Sequence, residues 1–286
     1  MKTRRGKIIQ VALSASLCLL AILYVFPYVW MVTTSFKTDD ELYNNRILPE
    51  KPSLIQYERL FEGHQASKKL KLEYKYPEYY RNSLFVTTSS LVLVLTFDAL
   101  AAFAFAKYQF RGKQILFWLM LITMMLPIYA TLIPSFYLFS RILKWVNTYK
   151  VLILPGVVDA YGIFLLTQYM KSIPSELLDA ARIDGAGPLR IFWRIIVPLS
   201  RPALGTLAIF KFLLSWNDYL WPLVMIREES MYTLTIGIAQ MQVRQGLVVW
   251  GVQMAAAVVA TIPVLILVFA MQRQFLRGIT AGALKG

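Results

Sequence analysis

The chain alternates between long apolar runs and shorter polar segments. Six runs reach the roughly 20 residues that a helix needs to cross about 30 Å of hydrocarbon. Because lipid offers the backbone no hydrogen-bonding partner, each run is predicted to be a helix. None alternates like a β-barrel strand. The pattern predicts an all-α integral membrane protein with six transmembrane helices, at about 8–36, 83–106, 115–140, 151–170, 203–226 and 247–271.

Composition agrees with this prediction. Of the 286 residues, 57% are hydrophobic and only 16% are charged, whereas a soluble domain has about a quarter charged residues. The first apolar run follows basic residues, as in a signal peptide. Its length (8–36) is well beyond the roughly 7–15 apolar residues of such a peptide, which favours an uncleaved first span.

The charges around the first run indicate an orientation. The overall Lys/Arg count is balanced between the two sides and decides nothing. Four basic residues lie in the first seven positions, however, and Lys37 is the only one among the nine that follow Phe36. Positively charged segments beside a span favour the cytoplasmic side, so the N-terminus is predicted to be cytoplasmic. An even number of spans, six, then places the C-terminus on the same side. The chain then divides into a first span with its tail, an extracytoplasmic loop, a core and a cytoplasmic tail, at 1–36, 37–82, 83–272 and 273–286.

The long polar loop at 37–82 has two interpretations. It is either a solvated connection or a docking surface for an extracytoplasmic partner, since loops of this length are often functional. The net charge of +14 is spread over several short segments. That distribution indicates anionic lipid headgroups or an acidic partner surface rather than nucleic acid.

Several kinds of chemistry are excluded. A single cysteine, Cys18, permits neither an intramolecular disulfide nor a cysteine-based zinc site. The single histidine, His64, lies in the polar loop, where a solvated surface role is the ordinary one. The chain contains no G-x-x-x-x-G-K-[ST] sequence, so it shows no ATP site of its own. We predict no metal, no cofactor and no catalytic residue, and therefore no enzyme.

Ionisable residues in or near the apolar runs are candidates for function. Such groups are costly in a bilayer and usually face a bundle interior, a cavity or an interface. They are Asp98, Asp159, Lys211 and Asp218. An ion-coupled secondary transporter would place proton or ion ligands there, which makes that class the alternative hypothesis.

The run 215–222 interleaves hydrogen-bonding groups with aromatic rings. This is the chemistry needed to hold a sugar, but Trp and Tyr are also enriched in the aromatic belt at a membrane interface. If the run lines a substrate path, the residues that contact the substrate are Trp216, Asn217, Asp218 and Trp221.

The segment 174–198, between the fourth and fifth runs, is too polar to cross the membrane. Ser175 is a favourable N-cap. Asp184-Gly185 is a turn signal at which Gly185 can take a positive φ, and Pro188 suits the first position of a second helix. That helix is predicted to place four apolar residues on one side: Leu189, Phe192, Ile195 and Ile196. The result is an amphipathic helical hairpin, which either lies in the lipid interface or meets a cytoplasmic partner.

This hairpin resembles the EAA loop that marks the membrane subunits of ATP-binding cassette importers. The match covers twenty positions, with Asp179 where Glu is usual and Val197 where Leu is usual. The resemblance implies that the residues facing the ATPase are Glu176, Asp179, Ala180, Ala181, Asp184, Gly185, Ala186, Phe192, Ile195 and Pro198.

Other segments resemble the carbohydrate-uptake branch of the same family. They are Ser35-Phe36-Lys37, Asn82-Ser83-Leu84, the pair Pro127 and Pro134, Trp216-Asn217-Asp218, and the tail from Gly278 to Gly286. The chain is thus similar to the six-span permease of maltose-type, binding-protein-dependent sugar importers, with a type I ABC importer permease fold and cytoplasmic coupling helices.

The resemblance also implies partners and a location. A second permease subunit would complete the pore, two copies of a cytoplasmic ABC ATPase would bind beneath it, and an extracytoplasmic sugar-binding protein would deliver the substrate. The expected location is the inner, or cell, membrane of a bacterium or archaeon.

Overall fold

The computed structural model describes the backbone of residues 4–44, 46–62, 75–243 and 250–283. Regular structure in these ranges is helical, as predicted. The α-helices, in chain order, are α1 Arg4–Ser35, α2 Ile55–Glu62, α3 Tyr76–Lys107, α4 Lys113–Thr123, α5 Ile128–Tyr137, α6 Tyr149–Ile153, α7 Ala160–Lys171, α8 Glu176–Ile183, α9 Pro188–Ile191, α10 Val197–Leu199, α11 Arg201–Trp216, α12 Leu220–Met225, α13 Leu234–Val243 and α14 Trp250–Ala283. Two π-helical turns, Leu138–Ile142 and Phe192–Ile196, continue α5 and α9.

Four helical segments in the described ranges are long and apolar enough to cross a membrane. They are Gln10–Ser35, Tyr76–Lys107, Tyr149–Lys171 and Trp250–Met271. The segments Pro188–Leu199 and Arg201–Trp216 pass the same test together but are bent by 78°, and counting them as one span gives five. The third predicted span is divided between α4 and α5, so the number six stays a prediction.

The third apolar run is broken rather than continuous. Helix α4 ends at Thr123 and α5 begins at Ile128, with Pro127 between them in an extended conformation (ψ 129°). Proline has no N–H to donate, and its ring collides with the carbonyl one turn earlier, which kinks or ends a helix; here it coincides with the end of one helix and the start of the next. The fourth run is interrupted in a similar way before Asp159, whose carboxylate caps α7 by accepting the N–H of Gly162 at 2.9 Å.

The described chain divides into two compact units, of which the first is 1–77 with 238–262. In it, both guanidinium N–H donors of Arg59 reach the carboxylate of Asp39, at 2.7 and 2.8 Å. Hydrogen bonding by Arg59 lowers the pKa of the Asp39 carboxyl group. The buried Gln56 donates to Asp39 at 3.1 Å, and the Tyr76 hydroxyl donates to the Ala256 carbonyl at 2.8 Å. The polar segment after α1 is therefore folded by specific hydrogen bonds. His64 lies outside the described residues.

The second unit, 78–237 with 263–286, contains the main apolar core. Its buried residues come from α3, α7, the hairpin and α11, and packing them together removes a large apolar area from solvent or lipid. They are Ala99, Ala102, Phe103, Leu166, Met170, Ile173, Leu178, Ile191, Phe192, Ile196, Ala203 and Leu207. Residues far apart in sequence thus hold the hairpin against the helix bundle.

Candidate functional site: a helical hairpin and a polar cavity

The hairpin is anchored to the second unit by its own buried side chains. Leu178 projects from α8, and Phe192 and Ile196 project from the π-helical turn after α9. The ring of Phe192 lies 5.6 Å, centroid to centroid, from that of Phe103 in α3. The Lys107 ammonium also donates to the Ile173 carbonyl just before the hairpin. The hairpin is therefore packed directly against α3 and α11.

The bend of the hairpin is a complete Schellman motif. The N–H of Ala186 donates to the Ala181 carbonyl at 2.9 Å, and the N–H of Gly185 donates to the Arg182 carbonyl at 3.0 Å. Gly185 has a φ of +78°, which this motif requires and which glycine takes without strain. Apart from the two adjacent residues, no atom of the described chain would lie within 4 Å of a Cβ at this position. The bend is well defined by hydrogen bonds and open to an approaching surface.

The opposite side of the hairpin is an exposed apolar rim, formed by Leu177, Ile183, Leu189 and Trp193. Ile183 is 87% exposed and Leu189 is 67% exposed. An ion pair between Asp179 and Arg182 (2.8 Å) lies beside them on α8. A group of large exposed apolar side chains with polar groups beside them is typical of a protein or membrane contact.

The predicted coupling residues are distinct from this rim and differ in their exposure. Glu176, Asp179, Ala180, Asp184 and Gly185 are exposed, whereas Ala181, Ala186, Ile195 and Pro198 are half-buried. Phe192 is fully buried in the core, so its contribution to a partner contact is to hold the hairpin in place.

Two details of the hairpin differ from the sequence analysis. Ser175 makes no capping hydrogen bond, because its backbone is already right-handed helical (φ −71°, ψ −25°) whereas a capping residue is usually extended. Leu189 is exposed and Ile191 is buried in its place. The π-helical turn, with its i→i+5 hydrogen bonds, shifts the register of the apolar face away from the 3.6-residue period assumed from sequence.

A cavity of about 540 Å³ lies in the second unit, between α3, α5, α11 and α12. Most of its wall is apolar, and its polar groups come from three serines, a threonine and two ionisable residues. The lining residues that could contact a ligand through polar or aromatic groups are Ser90, Tyr129, Thr131, Ser135, Phe139, Lys211, Ser215, Asp218 and Trp221. A cavity of this size with few polar groups is suited to a small organic ligand.

Three of the ionisable residues in the apolar runs are brought together beside this cavity. The Lys211 ammonium pairs with the Asp159 carboxylate at 2.9 Å. The backbone N–H of Asp159 donates to Asp98 Oδ1 at 3.0 Å, and Asp98 is 0% exposed. The other oxygen of Asp98, Oδ2, is buried without a hydrogen-bond partner among the described residues and faces Gly162. The sequence points to these residues individually but carries no signal of their pairing.

The four predicted substrate-path residues are only partly brought together. Asp218 and Trp221 line the cavity. Trp216 is buried and stacks on Phe212 at 5.6 Å. Asn217 is exposed and donates its amide to the Leu213 carbonyl at 2.8 Å.

Asp218 Oδ1 accepts the backbone N–H of Trp221 at 3.3 Å, and the Trp221 indole N–H donates to the Val151 carbonyl at 2.8 Å. These bonds fix both residues at the break between α11 and α12. Ser90, Tyr129 and Ser135 were not predicted from the sequence, because single serines and tyrosines in apolar helices carry no distinguishing pattern.

Comparison with known proteins gives consistent matches over the whole chain. Similar curated proteins include the arabinooligosaccharides transport system permease protein AraQ of Halalkalibacterium halodurans, 35% identical over all of both chains. The trehalose/maltose transport system permease protein MalG of Thermococcus litoralis is 32% identical over 94% of each chain. The sn-glycerol-3-phosphate transport system permease protein UgpE of Salmonella typhi is 38% identical over 69% of this chain and 70% of that one.

A solved structure has the same fold. A chain of a bacterial ABC transporter involved in the import of the acidic polysaccharide alginate matches with a TM-score of 0.82 and 25% identity, over 96% of this chain and 98% of that one. A bacterial alginate ABC transporter in complex with an alginate pentasaccharide-bound periplasmic protein contains a more distant chain, with a TM-score of 0.64 and 14% identity over 96% of each chain. This second likeness shows the fold alone.

The family comparison covers both the hairpin and the cavity-lining helices α11 and α12. Residues 96–281 match the model of the binding-protein-dependent transport system inner membrane component. With this match and the full-length relatives, the chain belongs to that family of ABC importer permeases, in which it is a multi-pass protein of the cell membrane.

Proposed function

We propose that this chain is one permease subunit of an ATP-driven sugar importer and forms half of its translocation pore. Membership in a binding-protein-dependent family excludes the ion-gradient alternative. Two of the relatives named above are permeases for arabinooligosaccharides and for trehalose or maltose, which supports an oligosaccharide substrate. The observation that carries the proposal is the hairpin 174–198, which is anchored in the core on one side and open on the other.

The proposed partners follow from these surfaces and from the family. Two copies of a cytoplasmic ATPase bind the assembled pair of permeases, one of them at the exposed rim and the Gly185 bend of this chain. A second permease completes the pore, and an extracytoplasmic binding protein delivers the sugar. Membership in a binding-protein-dependent family supports the last of these partners.

In the proposed mechanism, ATP binding closes the ATPase dimer and moves the hairpin as a rigid body. Leu178, Phe192 and Ile196 transmit this movement to the core that also contains Ala203 and Leu207 of α11. Farther along α11, Lys211 and Leu214 line the cavity. A ligand bound to the ATPase thereby biases the shape of a distant cavity, which is the requirement for coupling.

The proposed orientation has both termini and the hairpin in the cytoplasm, with six spans and the segment 37–82 outside. Tyr43 is 76% exposed in that outer segment. In the Cys18→Ser background, Tyr43→Cys is expected to react with a membrane-impermeant maleimide in intact cells. Arg111→Cys, at an exposed position between the second and third predicted spans, is expected to react only after permeabilisation. The reverse pattern would overturn the orientation.

The subunit assignment is tested by reconstitution. The purified chain alone is expected to hydrolyse no ATP and to move no sugar. With the permease, ATPase and binding protein encoded beside it, labelled arabinotriose or maltose is expected to accumulate with ATP present and with ion gradients collapsed by an ionophore. Sugar uptake by the lone chain, or uptake by the assembly that stops when the gradients collapse, would contradict the proposal.

A further inference from the structure

The charges around the cavity of the second unit carry a further inference, which rests on the proposed function. Lys211 is the basic residue and Asp218 the acidic residue among the lining side chains. Asp159 pairs with Lys211, and Asp98 lies directly behind Asp159. Three carboxyl groups therefore accompany one ammonium group in this region.

The positive charge of the ammonium group is already compensated within the protein. Lys211 Nζ lies 2.9 Å from Asp159 Oδ2, and both side chains are largely buried. In such surroundings a carboxylate and an ammonium attract each other much more strongly than in water. A phosphate or uronate would have to share Lys211 with the Asp159 carboxylate and would also approach Asp218, and the like charge of both carboxylates repels it.

The wall of the cavity also carries hydrogen-bonding groups and aromatic rings, which can bind an uncharged sugar. The carboxylate of Asp218 has one described hydrogen bond, at Oδ1, so it has capacity to accept sugar hydroxyl groups. The hydroxyls of Ser90 and Ser135 also line the cavity, and neither makes a hydrogen bond within the described residues. Tyr129 and Trp221 supply aromatic surface for the apolar faces of a sugar ring.

We infer that this cavity is a binding site for a neutral sugar unit, and that the Asp159–Lys211 pair together with Asp218 excludes anionic sugars. The pair acts as a specificity determinant: Asp159 keeps the ammonium of the cavity wall occupied. The inference separates two substrate classes that the relatives leave open, since these include arabinooligosaccharide and glycerol-phosphate permeases.

The test measures protection of a cysteine in the cavity by soluble probes. Leu214 is exposed and lines the cavity, so a cysteine can be introduced there. The natural chain has a single cysteine, Cys18, which is replaced by serine. The assembled importer, without its binding protein, carries Cys18→Ser and Leu214→Cys and is labelled with a maleimide. The neutral probes arabinotriose and maltotriose are expected to slow labelling about tenfold at saturation, whereas an alginate trisaccharide and sn-glycerol 3-phosphate leave it unchanged. A cysteine at Ile142, which is exposed and does not line the cavity, is the control.

Variants extend the test to the ion pair. Asp159→Asn leaves Lys211 without its counter-charge and is expected to let the alginate trisaccharide protect Leu214→Cys. Asp218→Asn is expected to weaken protection by the neutral probes, because an amide accepts fewer hydrogen bonds than a carboxylate. Two results would overturn the inference and leave the proposed function intact. In the first, anionic probes protect the cysteine of the parent protein. In the second, none of the probes protects it although ATP-driven uptake proceeds. Absence of ATP-driven uptake of any sugar would instead count against the proposed function.

Discussion

Gly185→Trp is expected to insert in the membrane normally and to lose the ATPase. Gly185 has a φ of +78°, where an L-residue carries roughly 1–2 kcal/mol of strain. No neighbouring atom in the described chain restricts the new side chain, so its bulk projects from the hairpin bend. Overpacking of a close contact costs about 1–3 kcal/mol, and the affinity for the ATPase is expected to fall by about 5- to 140-fold. Copurification of the ATPase with the tagged permease measures this loss.

The chain offers a matched control for this substitution. Gly112 also has a positive φ, +80°, and equally open surroundings, but it precedes α4 and lies outside the hairpin. Gly112→Trp therefore introduces the same strain and bulk elsewhere and is expected to retain the ATPase. Asp179→Glu, which keeps a carboxylate near Arg182, is expected to be nearly silent. If Gly185→Trp binds the ATPase and supports uptake as the parent does, the hairpin is an interfacial helix and not a coupling element.

Lys211→Met is expected to destabilise the protein by about 3 kcal/mol. This value is at the lower end of the cost of breaking a buried ion pair, because some solvent reaches both side chains. The substitution leaves the Asp159 carboxylate with the N–H of Gly162 as its described hydrogen bond, beside the buried Asp98. The apparent free energy of unfolding in detergent, obtained from a denaturant titration, measures the change.

The double variant Lys211→Met with Asp159→Asn is expected to recover most of the lost stability, because no uncompensated charge then remains at the pair. Lys150→Met, at an exposed position, is the control and is expected to change stability by less than about 0.5 kcal/mol. A Lys211→Met protein as stable as the parent would show that the pair does not contribute to the fold.

The features that sequence predicted are those encoded locally. Continuous apolar runs predicted α1, α3 and α14, and the turn residues predicted the positive φ of Gly185 and the position of Pro188 at the start of α9. In each case the physical cause lies within a few neighbouring residues, and tertiary contacts did not change it.

The features that sequence missed depend on contacts between distant residues. Asp98, Asp159 and Lys211 are separated by 61 and 52 positions, so no periodicity connects them. The exposure of Leu189 follows from a π-helical turn that a 3.6-residue period does not anticipate. Trp216 belongs to the run 215–222, which was predicted to contact the substrate. Its position on the helix directs it toward Phe212 and away from the cavity.

In the hairpin, the exposed rim residues and the buried residues that hold the hairpin in the core are different residues, and this has an evolutionary consequence. The exposed residues Leu177, Ile183 and Leu189 are distinct from Leu178, Phe192 and Ile196, which are buried in the core. Mutation of the rim can therefore accumulate without disturbing the membrane part of the subunit. With the rim as the proposed ATPase contact, one permease scaffold can in this way change its ATPase, or share one ATPase with several other importers, while its pore stays the same.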